Sequence, residues 1–226
     1  MNKKVMVATL SADIVRSTSL QTEDLIVLRN RLFNLLDELE RDYRGFWARI
    51  VKGDSIECFI PEHRYALRIA VLLKLFVKMQ TNKCECSEML QKYGIRFSIG
   101  MSRMVYENRK EDIIDGPAIY LSGRNLDTIS HKANVYSIVE MDGAPEEVSC
   151  FLDSYVAMVS NLVDSYSVKK AEVVYYKLLG LKEREISERL GIFQSSVNTR
   201  STNAQWGLLN TAIKDFENMN FERICW

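Results

Sequence analysis

The sequence predicts an α+β protein: a ferredoxin-like mixed sheet with packed helices, followed by an all-helical part that contains a helix-turn-helix. Three observations lead there. Residues 1–142 alternate strand and helix signals in the order strand, helix, strand, strand, helix, strand, helix, strand. The Gly- and Pro-punctuated segment Asp142 to Glu147 then separates them from a wholly helical pattern over 146–226. Within that pattern Ile186 and Leu190 share a helix face, Gly191 stops the helix, and a second helix opens at Gln194.

The elements follow in order. Val5 to Ala12 is β-branched and apolar, the pattern of a buried strand. Thr22 to Asp42 places leucines at 25, 28, 32, 35, 36 and 39, which is helical spacing. Phe46 to Val51 and Ser55 to Ile60 are short strands around the turn Lys52-Gly53-Asp54. Pro61 opens a second amphipathic helix to Gln80, Gly94 to Met101 is a strand, Ala118 to His131 a helix, and Val135 to Val139 the last strand. Beyond the boundary, Val148, Phe151, Leu152, Tyr155, Val156, Val159, Leu162 and Val163 form one apolar stripe. Lys169 to Leu179 continues in helix, and Asn203 to Phe216 either extends the second helix of the pair or forms another.

Composition narrows the classes. Thirty basic and thirty acidic residues cancel, so no global field draws the chain to nucleic acid or membrane. Nine Lys and Arg face seven Asp and Glu from residue 168 onward, a faint basic bias. Five irregularly spaced cysteines suit a reducing cytoplasm rather than a disulfide framework. The apolar run at the start ends in Asp13, unlike a signal peptide. The longest apolar stretch, Ala66 to Met79, is broken by Arg68, Lys74 and Lys78, so no membrane span is expected.

Two places could carry function. Asp13 ends the first strand and Asp54 sits in the hairpin, points that a ferredoxin-like sheet makes neighbours. Such a pair can hold one or two hard cations, Mg or Mn, that in turn bind nucleotide phosphates. Singly, Asp13 reads more readily as a cap and Asp54 as a turn residue. The second helix of the pair begins with Gln194, Ser195, Ser196, Asn198, Thr199 and Arg200 around an inward Val197, side chains suited to base edges and phosphates in DNA. Helical pairs of this kind also pack proteins together. Cys84 and Cys86 lack a second pair at metal-binding spacing, His63 and His131 lack a nucleophile, and Trp206 and Phe216 read as core.

Ala12-Asp-Ile-Val-Arg-Ser-Thr18, Lys52-Gly-Asp-Ser-Ile56, Ile95-Arg-Phe-Ser-Ile-Gly100 and Asp115-Gly-Pro-Ala-Ile-Tyr-Leu-Ser-Gly-Arg124 resemble the class III nucleotide cyclase domain. The resemblance implies metal binding by Asp13 and Asp54, nucleotide contacts from Lys52, Gly53 and Arg124, a catalytic role for Arg124 on the reacting phosphate, and pairing of two copies. It also places the transition-state asparagine of that family at Tyr120, its base-selecting lysine at Ile50 and its acidic partner at Ile113, departures that remove adenine readout and part of the catalytic clamp. Nearly the whole chain, with Asp115-Gly-Pro-Ala-Ile-Tyr120 and Leu190-Gly-Ile-Phe-Gln-Ser-Ser-Val197 as its most specific pieces, resembles the SatD family of bacterial proteins. That family often has a glutamate where Ser55 stands.

Together these readings imply a cytoplasmic, homodimeric, DNA-binding transcriptional-regulator-like protein whose degenerate cyclase-like domain binds a nucleotide or mediates dimerisation. The alternatives are a divergent metal-dependent nucleotide cyclase or phosphotransferase, and a protein-interaction module.

Overall fold

In the computed structural model, residues 6–51, 53–81, 87–103, 106–111, 113–129 and 137–225 are described. Lys52, the Cys84–Cys86 pair, His131 and the expected strand start at Val135 lie outside them.

The first strand, β1 (Met6–Ile14), is the hub of the sheet. It leads through α1 (Thr22–Asp42) to the hairpin of β2 (Trp47–Val51) and β3 (Ser55–Ile60), then through α2 (Ala66–Gln80) and α3 (Glu88–Tyr93) to β4 (Ile95–Arg103). A small ribbon, β5 (Tyr106–Asn108) and β6 (Ile113–Asp115), precedes α4 (Pro117–Ile129) and β7 (Ser137–Met141). The five-stranded order is β2-β3-β1-β4-β7. β1 runs antiparallel to β3 and β4, and β7 parallel to β4. The first four strands therefore have the ferredoxin-like arrangement that the sequence predicts, extended at one edge by a crossover through α4.

The helical part comprises α5 (Glu146–Asp164), α6 (Val168–Leu178), α7 (Glu183–Leu190), α8 (Gln194–Asn203), α9 (Trp206–Asn218) and α10 (Phe221–Cys225). Among the described residues no helix is long and apolar enough to cross a membrane.

Period-two alternation along β1 separates two environments. Met6, Ala8, Leu10, Ala12 and Ile14 face the main core with Leu28, Leu32, Leu35 and Leu39 of α1 and nearly all of α2. That core continues into Leu152 and Val156 of α5, Val174 and Leu178 of α6, and Leu209, Ile213 and Phe216 of α9. Arg68 of α2 locks the two parts further. Its guanidinium donates to both carboxylate oxygens of Glu217 at 2.5 and 3.2 Å and to the Leu178 carbonyl at 3.1 Å.

The opposite face of β1 is built for close approach by α4. Thr9 and Ser11 share hydrogen bonds of 3.0 and 2.9 Å with Ser122, and Gly100 on β4 leaves the helix backbone room to settle.

Some expectations shift. The helix expected from Pro61 begins at Ala66, because a tighter turn over His63–Tyr65 intervenes and His63 is held at the Met6 carbonyl, 3.2 Å away. Asn203 to Phe216 belongs to two helices, because Gln205 takes a left-handed φ of 52° and breaks the run. Phe151 leaves the apolar stripe of α5 and lies 59% exposed, stacked on Tyr155. Segments as short as α3, β5, β6 and α10 carry too few residues for a period to register.

Lys74 and Lys78, which read as interruptions of an apolar helix, are fully buried. Lys74 Nζ donates to the carbonyls of Tyr93 and Ile95, each at 2.8 Å, and stands 2.8 Å from the Asp164 carboxylate. Lys78 donates to the carbonyls of Gln91, Lys92 and Asp164. These ammonium groups hold the α3–β4 turn and the end of α5 onto α2. Gly94 lies at that turn, with a positive φ of 65° and a Cβ position only 3.1 Å from the Lys74 carbonyl.

Candidate functional site

The antiparallel register sets Asp13 of β1 between Ser55 of β3 and Arg96 of β4. Ser55 Oγ donates to Asp13 Oδ1 at 2.5 Å, and Arg96 Nη2 donates to Oδ2 at 2.8 Å. Beyond Asp13 the chain follows the hairpin, with Ile14 N–H donating to the Asp54 carbonyl at 3.2 Å. It then turns at Arg16, whose φ of 56° is left-handed. That turn returns Ser17, whose hydroxyl donates to Asp54 Oδ2 at 2.5 Å. Asp13, Asp54, Arg16 and Arg96 line one cleft of about 420 Å³, together with Ser17, Thr18 and Met89.

The expected pair of carboxylates therefore shares a cleft, and in it Asp13 is engaged by protein partners. Both oxygens of Asp13 already accept hydrogen bonds, one of them from a guanidinium that supplies the compensating charge. No group of three or more acidic, His or Cys side chains forms among the described residues, so a cation here would rest on these two carboxylates together with water or substrate oxygens. Ser55, standing where the SatD resemblance expects a glutamate, is a donor to Asp13 rather than a further anionic ligand. With two acids and two arginines, the lining is balanced in charge.

The other residues implied by the cyclase resemblance are spread out. Gly53 forms the hairpin turn with φ 88°. Arg124 is exposed on α4 and does not line the cleft. Tyr120 is 58% exposed, and its hydroxyl donates to Asp115. Ile50 is half-buried, with its side chain packed against the main core. Its neighbour Arg49 pairs with Glu57 at 2.6 Å. Arg96 was not anticipated in the site. Nothing near it in the chain signals the role, which depends on the pairing of β1 with β4.

The second place is the pair α7–α8. Lys182 precedes α7, and Glu185 accepts its backbone N–H at 2.7 Å, which closes the first turn. Gly191 ends α7 in the left-handed region at φ 63°, and its N–H reaches the Ser187 carbonyl. Ile186 and Val197, both fully buried, meet Val173 of α6 in a separate apolar cluster that fixes the crossing. Around α8, Gln194, Ser195, Asn198 and Thr199 are exposed, while Ser196 and Arg200 are half-buried. Arg200 stands 3.8 Å from Glu172 of α6, and the Thr199 hydroxyl is held by the Ser195 carbonyl at 2.9 Å.

No protein-family model matches the sequence, and no curated protein matches it. Two solved structures, each described as a bacterial light-regulated adenylyl cyclase, are loosely similar. One is 18% identical over 60% of this chain and 75% of the other, with a TM-score of 0.43. The second is 15% identical over 71% of this chain and 57% of the other, also with a TM-score of 0.43. Likeness at that level carries no conclusion about function, and what the protein does has to be argued from its own residues.

Proposed function

We propose that this protein is a DNA-binding regulator whose α8 enters the major groove and whose sheet domain binds a nucleotide or pairs two copies. The observation that carries this reading is the open polar face of α8: Gln194, Ser195, Asn198 and Thr199 point to solvent while Val197 anchors the helix. A short polar helix held rigidly and left uncovered is what base readout needs. The reading agrees with the SatD-like motif over Leu190 to Val197, and a homodimer would present two such helices to paired half-sites. Arg200→Ala should weaken binding to a selected duplex by about 1–3 kcal/mol if Arg200 reads a base. Changes at Gln194 or Ser196 should alter sequence preference more than affinity. Fluorescence anisotropy of the three variants on matched and scrambled duplexes checks this. Unchanged binding by Arg200→Ala, with no preference to alter, would move the protein-interaction reading to first place.

The cleft shared by Asp13 and Asp54 favours a second reading, divergent metal-dependent cyclase or phosphotransferase chemistry. Arg96 on Asp13 and Tyr120 at the asparagine position weigh against it. Losing one oriented transition-state donor costs about 3 kcal/mol, on the order of a hundredfold in rate. Pure protein given ATP or GTP with Mg or Mn is therefore expected to yield little or no cyclic nucleotide. Robust production that Asp54→Ala abolishes would promote the enzyme.

A further inference from the structure

A second cleft, of about 460 Å³, opens where α1, α2, α6 and α7 meet, away from Asp13. That volume lies within the range that small-molecule sites occupy. Its floor is aromatic. Tyr175 lies between Phe76 and Tyr176, with ring centroids 5.9 and 5.3 Å away. Its walls carry two carboxylates from separate elements, Glu38 of α1 and Glu172 of α6, and one guanidinium, Arg189 of α7. Glu38 forms no ion pair among the described residues. Tyr175 is 4% exposed, and its hydroxyl makes no hydrogen bond among the described residues, although burial and the nearby Glu38 push its ionisation upward. One ring face already holds a cation: the Arg189 guanidinium lies 5.0 Å from the Tyr176 centroid.

We propose that this cleft binds a small organic ammonium compound with an apolar body. The ring faces and the two carboxylates would take the cationic head, and the Phe76–Tyr175 floor the apolar part. Aromatic faces attract such cations most when the cation is drawn out of water, and a flanking carboxylate adds the charge selectivity that rings alone lack. An unpaired buried phenol offers the remaining polar contact. A neutral molecule of the same shape gains the floor but not the walls.

Arg189 and Leu190 of α7 line the cleft, and its Glu172 lies 3.8 Å from Arg200 of α8. A bound ammonium at Glu172 competes with Arg200 of α8, and one over Tyr176 competes with Arg189 of α7. Ligand binding would then free the guanidinium groups of Arg200 on α8 and Arg189 on α7 and strengthen phosphate contact. This coupling, unlike the site itself, rests on the DNA-binding reading.

Calorimetric titration of the full chain with benzyltrimethylammonium and phenylethylammonium, and with 2-phenylethanol as the neutral control, tests the site. Both cations should bind, with 2-phenylethanol at least about tenfold weaker. Glu38→Gln and Glu172→Gln should each weaken cation binding by about tenfold while leaving the circular dichroism spectrum and thermal midpoint in place. Tyr176→Leu should do the same through loss of the ring. Failure of both cations to bind at millimolar concentration, equal binding of the neutral control, or full retention of affinity by both Gln variants overturns the site. If the cations bind, the variants lose them, and DNA affinity is unmoved by ligand, the site stands and the DNA-binding reading is what fails.

Discussion

Gly100→Ala is expected to destabilise the protein by about 3 kcal/mol, at the upper end of overpacking costs. A Cβ at position 100 would lie 2.2 Å from the Ala118 carbonyl oxygen and 2.8 Å from the Ser122 nitrogen. Both are backbone atoms of α4, so no side chain can rotate away. The helix cannot simply retreat, because Ser122 is hydrogen-bonded to Thr9 and Ser11 across the same interface, and Ala118 closes a small apolar cluster with Val7, Trp47, Phe59 and Ile114. Urea unfolding measures the effect. Gly123→Ala, in the same helix, provides the control. A Cβ there meets nothing within 4 Å, and replacing a helical glycine should raise stability by up to about 1 kcal/mol. Equal effects of the two substitutions would mean that α4 does not lie on β4 as described.

Lys74→Met is expected to cost about 3–5 kcal/mol, because it strands a charge in the core. The ammonium it removes is fully buried against the Asp164 carboxylate and bonded to two carbonyls. Burial pulls the Lys74 ammonium downward and pushes the Asp164 carboxyl upward, while their attraction opposes both shifts. Lys74→Met combined with Asp164→Leu should recover only part of the loss, since buried Lys78 then lacks the Asp164 carboxylate and the Tyr93 and Ile95 carbonyls still lack their donor. A single variant within 1 kcal/mol of the parent would mean that the pair is solvated.

The same cluster predicts a pH effect. Burial, reinforced by Lys74 and Lys92 and opposed by Asp164, lowers Lys78 from 10.5 to about 8. Above pH 8 the unfolded chain therefore binds a proton that the folded chain has begun to release, and stability rises with pH. From pH 8 to 9 the gain is on the order of 1 kcal/mol from Lys78. At higher pH, buried Cys58 and Tyr43, whose ionisation is pushed up by burial, work in the opposite direction. Lys78→Met should flatten the rise between pH 8 and 9.

These effects show which parts of the molecule were legible in sequence. The leucines of α1 and the β-branched run of β1 repeat long enough for their periods to show, and their bounds match closely. Val197 could be placed inward because its polar neighbours leave it no other role on α8. The joining of Asp13 and Asp54 followed from strand order alone. Arg96 did not, since its bond to Asp13 spans 83 residues and depends on register. Ile50 and Arg49 show how a strand turns alternate residues to opposite faces: Ile50 packs against the core, and Arg49 pairs with Glu57. Lys74 and Lys78 look like solvated charges until the carbonyls of the α3–β4 turn are seen around them.

The central claim is that α8 reads DNA, and selection of bound duplexes from a random-sequence pool by the full chain tests it most directly. The account predicts enrichment of one sequence, with two related half-sites if the protein is a dimer. Because Arg200 is the one cation on α8, the salt dependence of binding should be shallow and non-specific affinity low. A pool that emerges unenriched, with whatever residual binding remains indifferent to Arg200→Ala, would contradict it.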